Sequence, residues 1–163
     1  MLHKNIEGNI QLILGNLKDI NSGPYEIFDE IVINFLNEIS KEIFQTKKTI
    51  KFTDIISFGF WCRSSNIKKI LNNYSSFTNR IGRGSVLHIT PTNVPTTFAY
   101  SLAFGLLAGN HNLIRIPSKN FFQVKILCDI FSKLLKKRKF KSILRRITLI
   151  KYKSSDKVSM QLS

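Results

Sequence analysis

The sequence predicts an α/β fold in which α-helices precede a parallel β-α-β-α-β unit. Three observations carry that expectation. Short apolar runs at residues 85–90, 113–116 and 147–152 have strand length, and the first two end at proline. Helical patterns at 96–108 and from 120 onward separate those runs. Upstream of Gly82 the apolar residues recur only at helical spacing. Strands alternating with single helices imply parallel pairing through right-handed crossovers. Such a unit is one mononucleotide-binding half of a Rossmann-like sheet.

The elements follow in order. Residues 1–23 form a short opening segment, punctuated by Gly23-Pro24. Ile27, Ile31, Phe35, Ile39 and Ile43 then recur every fourth residue, with Val32 and Leu36 widening the stripe. Asp29, Glu30, Glu38 and Glu42 lie off it, and Lys47-Lys48 suit the negative end of the helix. Thr53-Asp54 reads as the cap of a second helix carrying Ile55, Ile56, Phe58, Phe60 and Trp61. Arg63 to Asn66 interrupts that helix before Ile67, Ile70 and Leu71 resume it, and Asn72 to Asn79 reads as a loop. Ser85 to Thr90 is the first strand, and Thr96 to Ala108 is apolar almost all round, which predicts a buried helix stopped at Gly109-Asn110. Leu113 to Ile116 is the second strand. Asn120 opens a helix whose face is Phe121, Val124, Leu127, Ile130, Phe131, Leu134 and Leu135, and Ile147 to Tyr152 is the third strand.

A chain of 163 residues suits one ordinary domain, or one domain with a helical extension. The division expected is a helical segment over 1–80 and a Rossmann-like portion over 81–163. The 43% hydrophobic fraction excludes a wholly disordered chain, and two cysteines make no disulfide scaffold. No run of 18 apolar residues exists and no signal peptide is evident, so the expected location is the cytoplasm. Net charge is +15 and unevenly spread: residues 115–163 carry 14 basic and 2 acidic groups. A basic half of this kind suits nucleic acid, an anionic membrane or phosphorylated small molecules. The richness in Lys, Ile and Asn, 55 residues together, is a plainer cause.

Chemistry-bearing residues are few. His3, His88 and His111 are scattered and no Cys-x-x-Cys exists, so no metal site is expected; His88 reads as a packed or sheet-edge residue. Cys62 and Cys128 sit in apolar helices and read as inert core thiols. Gly82-Arg83-Gly84 precedes its strand, whereas a dinucleotide fingerprint lies between strand and helix. The cluster Lys133 to Arg146 reads as a solvated helix end and loop; Phe140 is its only aromatic residue, so it lacks a stacking platform for single strands.

The informative stretch is Gly84 to Lys119. Pro91-Thr92-Asn93-Val94-Pro95 follows the first strand and sets an amide at the carboxyl edge of the sheet, where open parallel sheets bind ligands. Asn93 can donate hydrogen bonds to an oxyanion without titrating. The second strand delivers Arg115, Ser118 and Lys119 to the same edge, a set fit for phosphate or ribose.

These tracts, NVP, GLLAGNHNLIRIPSK and the following Phe121-Phe122, resemble the aldehyde dehydrogenase superfamily, and most closely the LuxC-type long-chain fatty acyl-CoA reductases. The resemblance runs from about Trp61-Cys62-Arg63 onward and is weaker over the N-terminal helices. It implies an enzyme that takes an acyl group from acyl-CoA or an acyl-protein thioester onto a cysteine thiol and reduces it with NADPH to a fatty aldehyde. By the same resemblance Asn93 is the oxyanion-hole residue, and Thr90, Pro91 and Thr92 line the nicotinamide. The superfamily's Lys-Pro-Ser-Glu tract falls on Ile116-Pro117-Ser118-Lys119, with Arg115 one residue before the lysine position. A lysine at 119 in place of a ribose-gripping carboxylate favours the 2′-phosphate of NADP, so Arg115, Ser118 and Lys119 are the expected cofactor contacts. The nucleophilic cysteine of such enzymes lies in a downstream catalytic domain with no counterpart here, so the sequence reads as an inactive N-terminal fragment, its portion 81–163 a partial NADP-binding domain. A three-strand half-sheet of this kind would leave an open edge. Acyltransferase and acyl-protein synthetase subunits are implied partners, and the full-length form is expected to be a homo-oligomer. Two other readings stand beside this one: a basic module that binds nucleic acid or membrane through Lys133 to Lys157, and a non-catalytic scaffold.

Overall fold

The computed structural model describes residues 10–21, 23–73 and 80–152. Most of the loop expected at 72–79, together with His3, Lys153 and Lys157, lies outside the described residues.

Helix α1 (Glu30–Gln45) starts at Asp29, whose carboxylate accepts the Ile31 N–H at 3.0 Å and so satisfies one of the open donors of the first turn. Of its expected stripe, Val32, Phe35, Leu36, Ile39 and Ile43 are buried, whereas Ile31 is only half-buried and Ile27 precedes the helix. The helix ends before Lys47-Lys48, which belong to a separate 3-10 turn. The Thr49 hydroxyl donates to the last turn, with the carbonyls of Ile43 and Thr46 both 2.6 Å away. Helix α2 (Thr53–Trp61) begins after Phe52, so Thr53 lies in its first turn and no side chain closes its end, contrary to the cap expected at Thr53-Asp54. Cys62-Arg63 separates it from α3 (Ser64–Asn72).

Strand β1 (Gln11–Leu14) comes from the opening segment, where the sequence suggested no strand. Strands β2 (Ser85–Ile89), β3 (His111–Arg115) and β4 (Ile147–Lys151) alternate with α4 (Thr97–Leu107) and α5 (Phe122–Leu135). A short helix α6 (Lys141–Leu144) leads into β4. The sheet order is β1-β4-β3-β2, with the last three strands parallel and β1 antiparallel to β4. The half-sheet was expected to leave an open edge; on the β4 side β1 pairs with it, while β2 is the outer strand on the other side.

Strand alternation assigns the two faces. Ile114, Ile147 and Leu149 join α1, α4 and α5 in the main core around Phe35, Phe98 and Phe131. Leu113, Ile150 and Tyr152 form a second cluster on the opposite face with Ile10, Leu17 and Leu87. Each fully buried phenylalanine contributes on the order of 1.5–3 kcal/mol. Helix α4 is not buried all round as its composition suggested: Phe104 is 53% exposed and packs on Trp61 at 4.9 Å between centroids. Its C-terminus is stopped as expected, with Gly109 at φ +73° and its N–H on the Leu106 carbonyl. Gly105 lets α4 lie against β3, since a Cβ there would meet the Asn112 side chain.

Candidate functional site

The carboxyl ends of β2, β3 and β4 form one edge, and the turns leaving it carry the expected site residues. Thr90 follows β2 directly in a buried position, and its hydroxyl donates to the Arg115 carbonyl at 2.8 Å. It therefore ties the ends of β2 and β3 together. Pro91, Thr92 and Asn93 are exposed in the turn before α4, so the Asn93 amide is open to solvent beside the sheet edge.

Arg115 and Ile116 lie next to each other in sequence but face opposite sides of the sheet, as strand alternation demands. Ile116 enters the helix-side core. Arg115 is 6% exposed, with its guanidinium 4.7 Å over the Tyr152 ring and Nη2 directed at the Tyr152 carbonyl at 3.4 Å. Its Nε has no hydrogen-bond partner among the described residues.

Lys119 lies on the other side, in the loop entering α5 that also carries Ser118. A cleft of about 490 Å³ opens there between β1, the end of β4 and the first turns of α5. Lys119, Lys125 and Lys151 line it, with Asn120, Phe121 and Phe122. Lys151 donates to the Asn120 side chain at 2.7 Å, and the Lys119 ammonium is 5.3 Å from the Phe121 ring centre. Helix α5 has no capping side chain and no acidic residue in its first turn, which leaves its positive end open to an anion. Asp129, one helical turn after Lys125, is the carboxylate of the lining.

Lys119 thus shares this cleft with Lys151 and Asn120, while the other expected site residues, Thr90, Pro91, Thr92, Asn93, Arg115 and Ser118, do not line it. Sequence reasoning missed Lys125, Lys151 and Asn120. Lys151 is separated from Lys119 by a whole helix, yet it ends β4 and so lies on the same edge. The edge rule for parallel sheets was the signal that could have found it.

Neither cysteine sits where a thiolate is favoured. Burial pushes the Cys62 thiol far up from its ordinary value. Cys128, at the cleft wall, is raised to about 12, first by burial and then by the Asp129 charge. His88 lies on the edge strand β2 with Nε2 3.0 Å from Asn112 Oδ1. Asn112 uses its Nδ2 on the Asn110 carbonyl at 2.9 Å, so His88 is the donor in that pair. His111 is fully buried, with Nε2 3.3 Å from the Thr148 hydroxyl. Burial lowers the pKa of both imidazoles; Asn112 partly opposes this at His88, and Asp19 at His111. No cluster of metal-binding side chains occurs among the described residues.

The basic cluster is partly absorbed by α1. Lys133 pairs with Glu42 at 2.6 Å, and Lys137 and Lys139 approach Glu38 at 3.6 and 3.5 Å. Glu38 is accordingly held below its ordinary pKa, chiefly by its hydrogen bond from Lys41. No helix among the described residues is long and apolar enough to cross a membrane.

A family model described as acyl-CoA reductase (LuxC) matches residues 36–162. The match begins inside α1, upstream of the Trp61-Cys62-Arg63 tract where the resemblance was placed. No curated protein and no solved structure matches the chain. The matched span takes in α2 to α5, the strands β2 to β4 and most of the cleft lining, and the chain belongs to the acyl-CoA reductase (LuxC) family.

Proposed function

We propose that these residues form the cofactor-binding portion of an NADPH-dependent long-chain fatty acyl-CoA reductase, with an aldehyde dehydrogenase-like, Rossmann-type arrangement centred on residues 81–163. The observation that carries this reading is the lysine-lined cleft at the carboxyl edge of the parallel strands. Its volume is that of a small-molecule site, and its donors suit phosphate. The donor set therefore fits the phosphate-bearing end of the cofactor.

In this reading Lys119 and Lys125 neutralise the cofactor's 2′-phosphate, and Lys151 is positioned by Asn120. Ser118 contributes a hydroxyl to the ribose. Thr90 holds the β2 turn in place, so that Pro91 and Thr92 border the reacting end of the cofactor and Asn93 donates to the developing oxyanion of the thioester. Arg115 supports the edge from the opposite face through Tyr152. The bound cofactor supplies the hydride. The acyl-accepting thiol is neither Cys62, which is buried, nor Cys128, which is half-buried at the cleft wall, because desolvation raises the pKa of both and favours the neutral thiol. The natural substrates are an acyl-CoA or an acyl-protein thioester, handled in the cytoplasm with acyltransferase and synthetase partners.

Calorimetric titration of the purified chain with NADPH and with NADH tests the reading. NADPH should bind more tightly by about tenfold, the worth of one charge-assisted contact. Lys119→Glu should erase that preference. Equal affinity for the two dinucleotides in the unmodified chain would contradict it.

A further inference from the structure

Helix α5 is amphipathic, and its inward face is fixed by Leu127, Ile130, Phe131 and Leu134, all buried. Phe122, Lys125 and Asp129 recur at i, i+3 and i+7 on the opposite side, which lines the cleft of about 490 Å³. Phe122 is thus an aromatic ring on the polar side of its helix. It is 77% exposed, the most exposed large apolar side chain among the described residues. Its neighbour Phe121 is committed elsewhere: it packs against the main core, and the Lys119 ammonium lies 5.3 Å from its ring centre. Phe122 has no such ring or cation contact among the described residues.

An exposed ring by itself is ordinary on a protein surface. Two features of its surroundings give this one a partner. The concavity it borders has the volume of a small-molecule site and is lined by Lys119, Lys125 and Lys151 against the single carboxylate of Asp129, so its occupant is an anion. Lys125 also follows Phe122 by one helical turn, which sets their Cβ atoms about 5–6 Å apart. A flat group lying on the Phe122 ring is therefore about one sugar away from a phosphate held by Lys125. Phosphate, sugar and flat base in that order are a nucleotide, and the face of a base stacks on an aromatic side chain.

We propose that Phe122 is the base platform of this cleft, stacking on the adenine of the cofactor while the lysines hold the phosphate of the same ribose. The proposal rests on the cofactor reading above and adds to it a residue that selects for the base. The base is the adenine because the 2′-phosphate is carried by the adenosine ribose. NADPH and NADH share that adenine, so Phe122 serves both alike, whereas Lys119 distinguishes between them.

The test is an NMR titration of the full chain with two probes. Adenosine 2′,5′-bisphosphate carries the adenine and the 2′-phosphate without the nicotinamide; inorganic pyrophosphate carries no base. The adenine H2 and H8 resonances should move upfield on binding, under the ring current of Phe122. Phe122→Leu, at an exposed position that leaves the core untouched, should abolish that movement and weaken the bisphosphate by about tenfold, with pyrophosphate affinity unchanged. Phe122→Tyr should restore both. NADPH and NADH should weaken together in Phe122→Leu, keeping the ratio of the parent chain. Unchanged bisphosphate affinity in Phe122→Leu, or adenine resonances that do not move upfield, would overturn the proposal. The cofactor reading survives that result if Lys119→Glu still erases the preference for NADPH. Failure of the parent chain to bind either the bisphosphate or NADPH would overturn both.

Discussion

The Thr90 hydroxyl donates to the backbone carbonyl of Arg115 at 2.8 Å, joining the residue after β2 to the last residue of β3 where their ladder ends. This bond fixes the turn carrying Asn93 relative to the loop carrying Lys119. Thr90→Val keeps the shape, removes the donor and leaves a buried carbonyl unpaired. It is expected to cost about 1–3 kcal/mol, measured by urea unfolding, and to weaken NADPH binding without touching the cleft. Unchanged unfolding would show that the bond holds nothing.

Helix α4 crosses β3 at Gly105, against the Asn112 side chain that also receives His88. Gly105→Ala forces a methyl into that contact. The helix-propensity gain of about 1 kcal/mol is opposed by overpacking of roughly 1–3 kcal/mol, so net destabilisation is expected in chemical denaturation. A more stable variant would mean that α4 can move away freely.

Asp29 caps α1 and pairs with Arg146 at 2.7 Å, an arginine only 6% exposed at its side chain. Arg146 also lies 3.8 Å from the Tyr25 ring centre, so the pair fastens the segment before α1 to the amino edge of β4. Asp29→Asn keeps the cap but leaves the buried Arg146 guanidinium without its counter-charge. A loss of about 3 kcal/mol is expected, against a few tenths for a cap change alone; equilibrium unfolding of this variant separates the two.

His88 and His111 are both held neutral by burial, with folded pKa values below the ordinary value of about 6.5. Below that pH the unfolded chain takes up more protons than the folded one. Stability is therefore complete above about pH 6.5 and falls as the pH drops below it. Glu38 acts in a separate, lower window, because its pKa is depressed and its contribution is lost only as its carboxylate protonates. Thermal unfolding between pH 7.5 and 5.5 should show a falling midpoint, and His88→Gln should flatten the fall. A midpoint independent of pH in that range would contradict the burial argument.

The parallel unit was legible because its three strands are short apolar runs punctuated by Gly, Pro and Ser, and local pattern suffices there. β1 was not legible: four residues, Gln11 to Leu14, become a strand only because β4 offers a free edge 135 to 140 residues away. Arg115 shows the opposite error. Nearness in sequence grouped it with Ser118 and Lys119, whereas the two-residue period of β3 turns it to the far face, onto Tyr152. Lys151 was overlooked for want of local pattern, since only the shared sheet edge brings it to Asn120. The exposure of Phe104 on α4 follows from packing and had no signature in an all-apolar helix.

The most direct test of the central claim, that the lysine-lined cleft holds the phosphate-bearing cofactor, is hydrogen–deuterium exchange of the chain with and without saturating NADPH. Slowed exchange over residues 116–125 and at the turn 90–94 is the expected result. Protection confined to residues 133–146, or none at all at saturation, would contradict the account.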